Sequence, residues 1–125
     1  MRVFKYVKRN SLFQNKFKKD EKILLFDKVN VAKSFFKKLT GLIFSKSLDI
    51  NDGLLIEECN SIHTLWMRFA IDVVFLNREN IVIEVVENLK PFRVSPIVKE
   101  AVKVLELKSG AVRQKKIKKN DILAF

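Results

Sequence analysis

The sequence predicts an α+β fold rich in β-strand, a small and partly open barrel-like mixed sheet with one or two short helices. Short apolar runs recur along the chain, separated by turns that contain Asn, Asp or Gly. Only residues 32–39 have helical spacing over more than one turn. With 125 residues, of which 48% are apolar, the chain has room for one core. We therefore expect a single domain over residues 1–125.

The N-terminal third predicts two strands and a helix. Residues 1–21 are basic and contain scattered aromatic side chains, which fits either a basic arm or an edge strand on a core formed by residues 22–125. Residues 23–26 predict a strand that breaks at residues 27–28 and resumes to residue 31. The helix would then cover residues 32–39, with Gly41 at its C-terminal cap.

The rest of the chain predicts further short strands. A turn at residues 49–53 precedes a buried strand at 54–56. The clearest element is a hairpin of residues 70–76 and 81–87 around a turn at 77–80. An irregular connection, a strand, a helical turn and a last strand follow, at residues 91–96, 101–107, 109–115 and 122–125.

The net charge of +11 comes mainly from lysines near the two ends of the chain. Such lysines attract polyanions or simply form a solvated surface, and the scarcity of Arg and of stacking aromatics favours the solvated surface. Electrostatic binding to nucleic acid stays an alternative. A single Cys excludes an internal disulfide, and no run approaches the roughly 20 apolar residues of a membrane helix. We expect a cytoplasmic monomer without a membrane partner.

Residues 59–76 contain the only Cys, His and Trp of the chain. Cys59, His63 and Met67 would share one face of a helix, but on a strand each step of four residues spans about 13 Å. Since no second Cys or His is present to complete a closed zinc site, we expect no metal and no cofactor. Cys59 and His63 also fit a nucleophile and its base, although a lone Cys is more often a small buried side chain.

Two carboxylates lie within apolar runs, and a buried carboxylate needs a partner. For Asp72 the expected partner is the guanidinium of Arg68, or secondly of Arg93. Glu106 either faces the same site as Asp72 or faces solvent on an edge strand. Trp66 is either a wall of a ligand cleft or part of the core.

An ordered set of motifs resembles the family called domain-of-unknown-function family 192. The motifs are Gly41-Leu42-Ile43-Phe44, Gly53-Leu54-Leu55, His63-Thr64-x-x-Met67-Arg68-Phe69-x-Ile71-Asp72-Val73-Val74-Phe75-Leu76, Val104-Leu105-Glu106-Leu107-x-x-Gly110 and Asn120-Asp121. The resemblance covers roughly residues 30–125 and implies a small β-rich domain without an established activity. Ala70 stands where many members have Pro, Ile43 replaces a usual Met, and Asn80 and Asn120 stand where Gly is usual.

The leading hypothesis is a non-enzymatic binding module for a small anionic ligand or a peptide segment. Its cleft would lie around residues 63–72 and use His63, Trp66, Met67, Arg68 and Asp72. Two alternatives remain, a small hydrolase or transferase that uses Cys59 and His63, and an electrostatic nucleic-acid binder. The chain contains no P-loop, no dinucleotide fingerprint and no nucleophile elbow.

Overall fold

The structure is a computed structural model that describes residues 1–7, 21–33, 48–65 and 67–125. Over these residues the strands form two sheets. Within these ranges the helical content is one short helix. The elements in chain order are β1 (Val3–Val7), β2 (Glu21–Phe26), β3 (Lys28–Lys33), β4 (Asp52–Glu57), β5 (Ile71–Leu76), β6 (Val82–Leu89), β7 (Lys103–Lys108), α1 (Ala111–Gln114) and β8 (Leu123–Ala124).

The larger sheet has five strands in the order β3-β4-β7-β5-β6. The β3 and β4 strands are parallel, whereas the other neighbours are antiparallel. All six residues of β5 are buried, because this strand lies inside the sheet and both of its faces are covered. Gly53 allows β4 to pack closely on β7, since a Cβ there would lie 3.0 Å from a methyl carbon of Leu107.

The smaller sheet has the order β2-β1-β8, so the first strand lies in its middle. Val3–Val7 is thus a strand, as one of the two expectations has it, but it lies between two neighbours rather than at an edge, and residues 8–20 lie outside the described residues. An isolated bridge between Ile81 and Ile122 connects the two sheets. The β-rich α+β class is confirmed, but the described strands form two sheets and do not close into a barrel.

Alternate residues of β5 build two apolar clusters on opposite faces of the larger sheet. On one face, Val74 and Leu76 pack in a cluster with residues of the smaller sheet and of α1. On the other face, Ile71, Val73 and Phe75 pack in a cluster that includes buried residues of the connection before β5. This second cluster contains Cys59, Ile62 and Met67, so it holds the described part of the connection before β5 against the sheet.

The predicted hairpin is confirmed as β5 and β6. Its turn is stabilised by Asn77, whose side-chain oxygen accepts hydrogen bonds from the N–H groups of Glu79 and Ile81. Asn80 has a φ of 59°, the left-handed conformation that Asn tolerates better than most residues. The strand broken at residues 27–28 is confirmed as β2 and β3.

The helical predictions have different outcomes. Ala32 and Lys33 belong to β3, so no helix begins at Ala32, and the remainder of that prediction lies outside the described residues. The helical turn after Ser109 is confirmed as α1. Gly110 caps it with a φ of 94°, a conformation that favours glycine.

Candidate functional site

Two loop segments pair to form a surface ribbon, defined here as residues 60–65 and 92–98. The N–H of Phe92 donates to the carbonyl of Thr64 over 3.1 Å, and the N–H of Thr64 donates to the carbonyl of Arg93 over 2.9 Å. The N–H of Ser95 donates to the carbonyl of Ile62 over 2.8 Å. The segments therefore run antiparallel, beside the apolar cluster that contains the buried Ile62.

Thr64 holds the ribbon together with its side chain as well as its backbone. Its hydroxyl is fully buried, donates to the carbonyl of Lys90 over 2.6 Å and accepts the N–H of Arg93 over 2.9 Å. The hydroxyl of Ser95 accepts the N–H of Ile62 over 2.9 Å. These two buried hydroxyls satisfy backbone groups that would otherwise lose hydrogen bonds on burial, so they fix the path of the loop.

The ribbon exposes four apolar side chains. The exposed fractions are 70% for Phe92, 70% for Val94, 75% for Ile97 and 44% for Leu65. Phe92 also has a φ of 60°, which costs a residue with a Cβ roughly 1–2 kcal/mol. Backbone strain beneath an exposed aromatic ring is a frequent sign of a functional surface.

Sequence reasoning did not predict this surface. Residues 91–96 were expected only as an irregular connection, because Phe92 and Val94 alternate with polar residues over too short a run to predict a strand. That short alternation was the available signal, and it lies between Pro91 and Pro96, which disfavour regular structure on both sides.

Asp72 is fully buried, but its partners differ from those expected. Its carboxylate accepts the backbone N–H groups of Asn88 over 2.8 Å, Gly110 over 3.0 Å and Val112 over 3.0 Å. The expected ion pair with Arg68 or Arg93 is therefore replaced by three backbone hydrogen bonds. The carboxylate connects β5 to the end of β6 and to the start of α1.

The other predicted cleft residues lie in different environments. Met67 is buried in the cluster beneath the ribbon, whereas Arg68 is exposed. His63 is partly buried and pairs with Val94 across the ribbon. Trp66 lies outside the described residues. Of the predicted set, His63 and Arg68 lie at the surface beside or within the ribbon, and the Asp72 carboxylate does not join them.

Glu106 differs from both expectations. It is 2% exposed and lies on β7, which is an inner strand of the larger sheet rather than an edge strand. Across the β5–β7 pair, Glu106 lies opposite Val73, whereas Asp72 lies opposite Leu107. Since successive residues of a strand face opposite sides, the two carboxylates lie on opposite faces of the sheet.

Cys59 is buried in the cluster beneath the ribbon, and its thiol donates to the carbonyl of Ser61 over 2.9 Å. It borders a cavity of about 500 Å³ that Arg78 and Lys103 also line. In the described part of the chain, no three side chains of His, Cys, Asp or Glu gather as metal ligands. None of the helical structure described there is long and apolar enough to cross a bilayer.

The structural class of this domain is a five-stranded mixed sheet packed against a three-stranded sheet. The surface ribbon lies on the face of the larger sheet that the smaller sheet does not cover. Two crystal structures share the fold. A protein of unknown function from Novosphingobium aromaticivorans has a TM-score of 0.73 and 16% identity, over 100% of this chain and 84% of that chain. A Sinorhizobium meliloti protein described as a "putative transcription regulator" has a TM-score of 0.72 and 15% identity, over 98% of this chain and 92% of that chain.

The family follows from the sequence itself. The model of family DUF192, described as "Uncharacterized ACR", matches residues 15–125. The chain therefore belongs to this family, and the resemblance noted from its motifs is confirmed. A search of curated proteins finds no significant match.

Proposed function

We propose that the protein is a non-enzymatic binding module that recognises an extended peptide segment of a partner protein through the surface ribbon. The observation that carries the proposal is Phe92, a largely exposed aromatic residue in a left-handed backbone conformation. The buried Thr64 hydrogen-bonds on both sides of it and keeps that conformation. A strained and preorganised apolar surface gains free energy when a partner covers it.

The charges beside the ribbon favour a peptide that combines apolar and acidic residues. Lys90 and Arg93 flank Phe92 in sequence, and both are exposed. Arg68 is exposed and directly follows the turn in which the N–H of Met67 donates to the carbonyl of Thr64. Cations around an apolar surface steer an acidic partner and add specificity, while burial of the apolar side chains supplies most of the affinity.

Within this proposal the residues of the predicted cleft divide into two groups. His63 and Arg68 contact the peptide from within and beside the ribbon. Met67 packs underneath, and Asp72 holds the sheet and α1 together from the opposite face. The exposed apolar side chains favour a peptide over a small anionic ligand, which would leave Phe92 and Ile97 uncovered.

The buried Cys59 favours a non-enzymatic role over the hydrolase or transferase alternative. A nucleophilic thiol needs access to a substrate and a nearby base. Although Cys59 borders a cavity of about 500 Å³, it is only 8% exposed and its thiol donates to a backbone carbonyl. That environment is typical of a cysteine that acts as a small core residue.

The test is a selection of displayed random peptides, about twelve residues long, against the folded protein. We expect enrichment of peptides that combine Leu, Ile or Phe with Asp or Glu. The selected peptide should bind Phe92→Ser at least about tenfold more weakly and Arg68→Gln about threefold more weakly. Ile23→Ser with Leu24→Ser is the control, because these β2 residues are 45% and 46% exposed outside the ribbon. No enrichment, or an equal loss in the control, would contradict the proposal.

A second prediction concerns Thr64, which shapes the ribbon without being exposed. Thr64→Val keeps the side-chain volume but removes the hydroxyl that hydrogen-bonds to the backbone of Lys90 and Arg93. Thr64→Ser keeps that hydroxyl. We expect Thr64→Val to lower the affinity for the selected peptide by about tenfold and to reduce hydrogen-exchange protection of the Arg93 amide. The reason is that a lost buried hydrogen bond costs roughly 1–3 kcal/mol. Thr64→Ser should retain most of both properties. Equal behaviour of the two variants would show that the hydroxyl does not fix the ribbon.

A further inference from the structure

The cavity of about 500 Å³ that Cys59 borders lies at one end of the larger sheet, where β4 ends and β7 begins. Glu57 and Glu58 border it on the side of β4, and Arg78 borders it from the turn that follows β5. Residues 101–103 lie between them. Since β7 lies between β4 and β5 in the sheet, the acidic and the basic borders face each other across the start of β7.

Two opposite charges at this cavity are direct neighbours in the sheet but do not form an ion pair. Glu57 and Lys103 lie opposite each other on β4 and β7, so their side chains share one face, where opposite charges usually pair. The Lys103 ammonium instead donates to the side-chain oxygen of Asn80 over 2.7 Å and lies 5.5 Å from the centre of the Phe125 ring. Over the described residues, no hydrogen bond or ion pair holds the half-buried Glu57 carboxylate. The cavity is therefore bordered by a carboxylate whose cross-strand cation is held elsewhere.

Backbone hydrogen bonds fix the borders of the cavity relative to each other. The N–H of Cys59 donates to the carbonyl of Val102 over 3.1 Å, and the N–H of Val102 donates to the carbonyl of Leu76 over 2.9 Å. Glu58 has a φ of 54°, a conformation that is unfavourable for a residue with a Cβ and that is frequent at functional sites. A ligand would meet groups that are already in place, so little free energy would be lost in ordering the protein.

The other two charged residues of the cavity differ in their surroundings. Arg78 is exposed, and within the described ranges no carboxylate lies at ion-pair distance from it. Its guanidinium has the geometry to bind a carboxylate through two parallel hydrogen bonds. The Glu58 carboxylate lies 3.9 Å from the ammonium of Lys33, but both side chains are exposed and such pairs are weak. Glu57 and Arg78 are thus the two opposite charges that the cavity offers to a ligand.

We propose that this cavity binds a small zwitterion, a free α-amino acid or a dipeptide, with its ammonium against Glu57 and its carboxylate against Arg78. Opposite charges on two borders favour a ligand that carries both charges. A simple anion would be repelled by Glu57, and a simple cation would be repelled by Arg78 and Lys103. The volume of about 500 Å³ is within the range of small-molecule sites.

The middle of the cavity suits an aliphatic side chain of the ligand. Ala101 is buried and Val102 is half-buried, so they offer apolar surface between the two charged borders. The site goes beyond peptide recognition, because it shares only Asn60 with the surface ribbon.

The experiment is a titration of isotope-labelled protein, followed by its amide NMR signals, with L-leucine and with L-leucyl-L-alanine up to about 50 mM. We expect the amide signals of Cys59, Val102 and Lys103 to shift, with a Kd of about 1 mM or lower for the tighter of the two ligands. That comparison distinguishes an amino acid from a dipeptide. N-acetyl-L-leucine lacks the ammonium and L-leucinamide lacks the carboxylate, so each should bind about tenfold more weakly than L-leucine.

Two variants assign the two charges of the ligand. Glu57→Gln should lower the affinity for L-leucine about tenfold but change that for N-acetyl-L-leucine by less than about twofold, because this derivative has no ammonium to lose a partner. Arg78→Gln should lower the affinity for L-leucine by a similar factor and leave that for L-leucinamide unchanged.

The matched controls are Glu79→Gln and Arg113→Gln, which remove exposed charges of the same kind outside the cavity. Both should bind L-leucine within about twofold of the original protein. An equal loss in these controls would overturn the site, as would equal binding of L-leucine and its two derivatives. Absence of shifts at about 50 mM of either ligand, or shifts confined to other parts of the molecule, would also overturn it. The titration uses no selected peptide, so its outcome is independent of the ribbon proposal.

Discussion

The buried carboxylate of Asp72 connects β5 to the end of β6 and to the start of α1. We expect Asp72→Ala to lower the free energy of unfolding by about 2–4 kcal/mol, because three backbone N–H groups lose their acceptor. Asp72→Asn should cost less, since its one oxygen still accepts some of these bonds. Urea unfolding measures both changes.

The control for this prediction is Asp49→Asn. Asp49 is exposed and its carboxylate accepts the local N–H of Asn51, so the change should stay within about 0.5 kcal/mol. If Asp72→Ala were no more destabilising than Asp49→Asn, the three backbone bonds would contribute nothing measurable.

Asp72 also shows how much of one residue's environment can be predicted from the sequence. Its burial and its need for a partner follow from a carboxylate within an apolar run. The partners do not follow, because the three N–H groups lie 16, 38 and 40 residues further along the chain. Backbone groups carry no sequence signature, so the nearby arginines were the only partners that the sequence offered.

At the scale of elements, the turn at Asn120 tests how much the backbone preference of one residue contributes to stability. Asn120 is exposed, has a φ of 74°, and its N–H donates to the carbonyl of Val82. Asn120→Gly should change the stability by no more than a few tenths of a kcal/mol, whereas Asn120→Ala should lower it by about 1 kcal/mol, because a Cβ disfavours the left-handed conformation. Thermal unfolding of the two variants gives the comparison. Equal stabilities would contradict a conformational role for Asn120.

Elements built from contacts close in sequence were predictable, and elements built from distant contacts were not. The β5–β6 hairpin follows from two apolar runs around a four-residue turn. The surface ribbon depends instead on hydrogen bonds between residues 29 and 33 positions apart, made by Thr64 and Ser95. The motif that contains Thr64 locates half of the candidate site, but the half with Phe92 follows only from the fold.

For the whole molecule, the net charge of +11 predicts a response to salt. Repulsion among like charges destabilises the compact state, and salt screens it over a Debye length of about 10 Å at 0.1 M. We expect the melting temperature to rise by several degrees between about 20 and 200 mM NaCl. Thermal unfolding followed by circular dichroism at pH 7 measures this melting temperature.

A variant with less charge provides the control for this prediction. Lys28→Glu and Lys99→Glu each change the charge by two units, so together they lower it from +11 to +7. The increase with salt should be smaller in this variant. A melting temperature that falls with added salt would mean that favourable ion pairs outweigh the repulsion.

The smaller sheet joins strands that lie far apart along the chain. Phe4 of β1 pairs with Ala124 of β8, so this strand pair cannot form until almost the whole described chain has left the ribosome. Pairings so distant in sequence slow folding, and until then one edge of β1 lacks its neighbour. Lys5 on β1 and Lys22 on its partner β2 place charges along this unfinished sheet, and such charges disfavour pairing with another nascent chain.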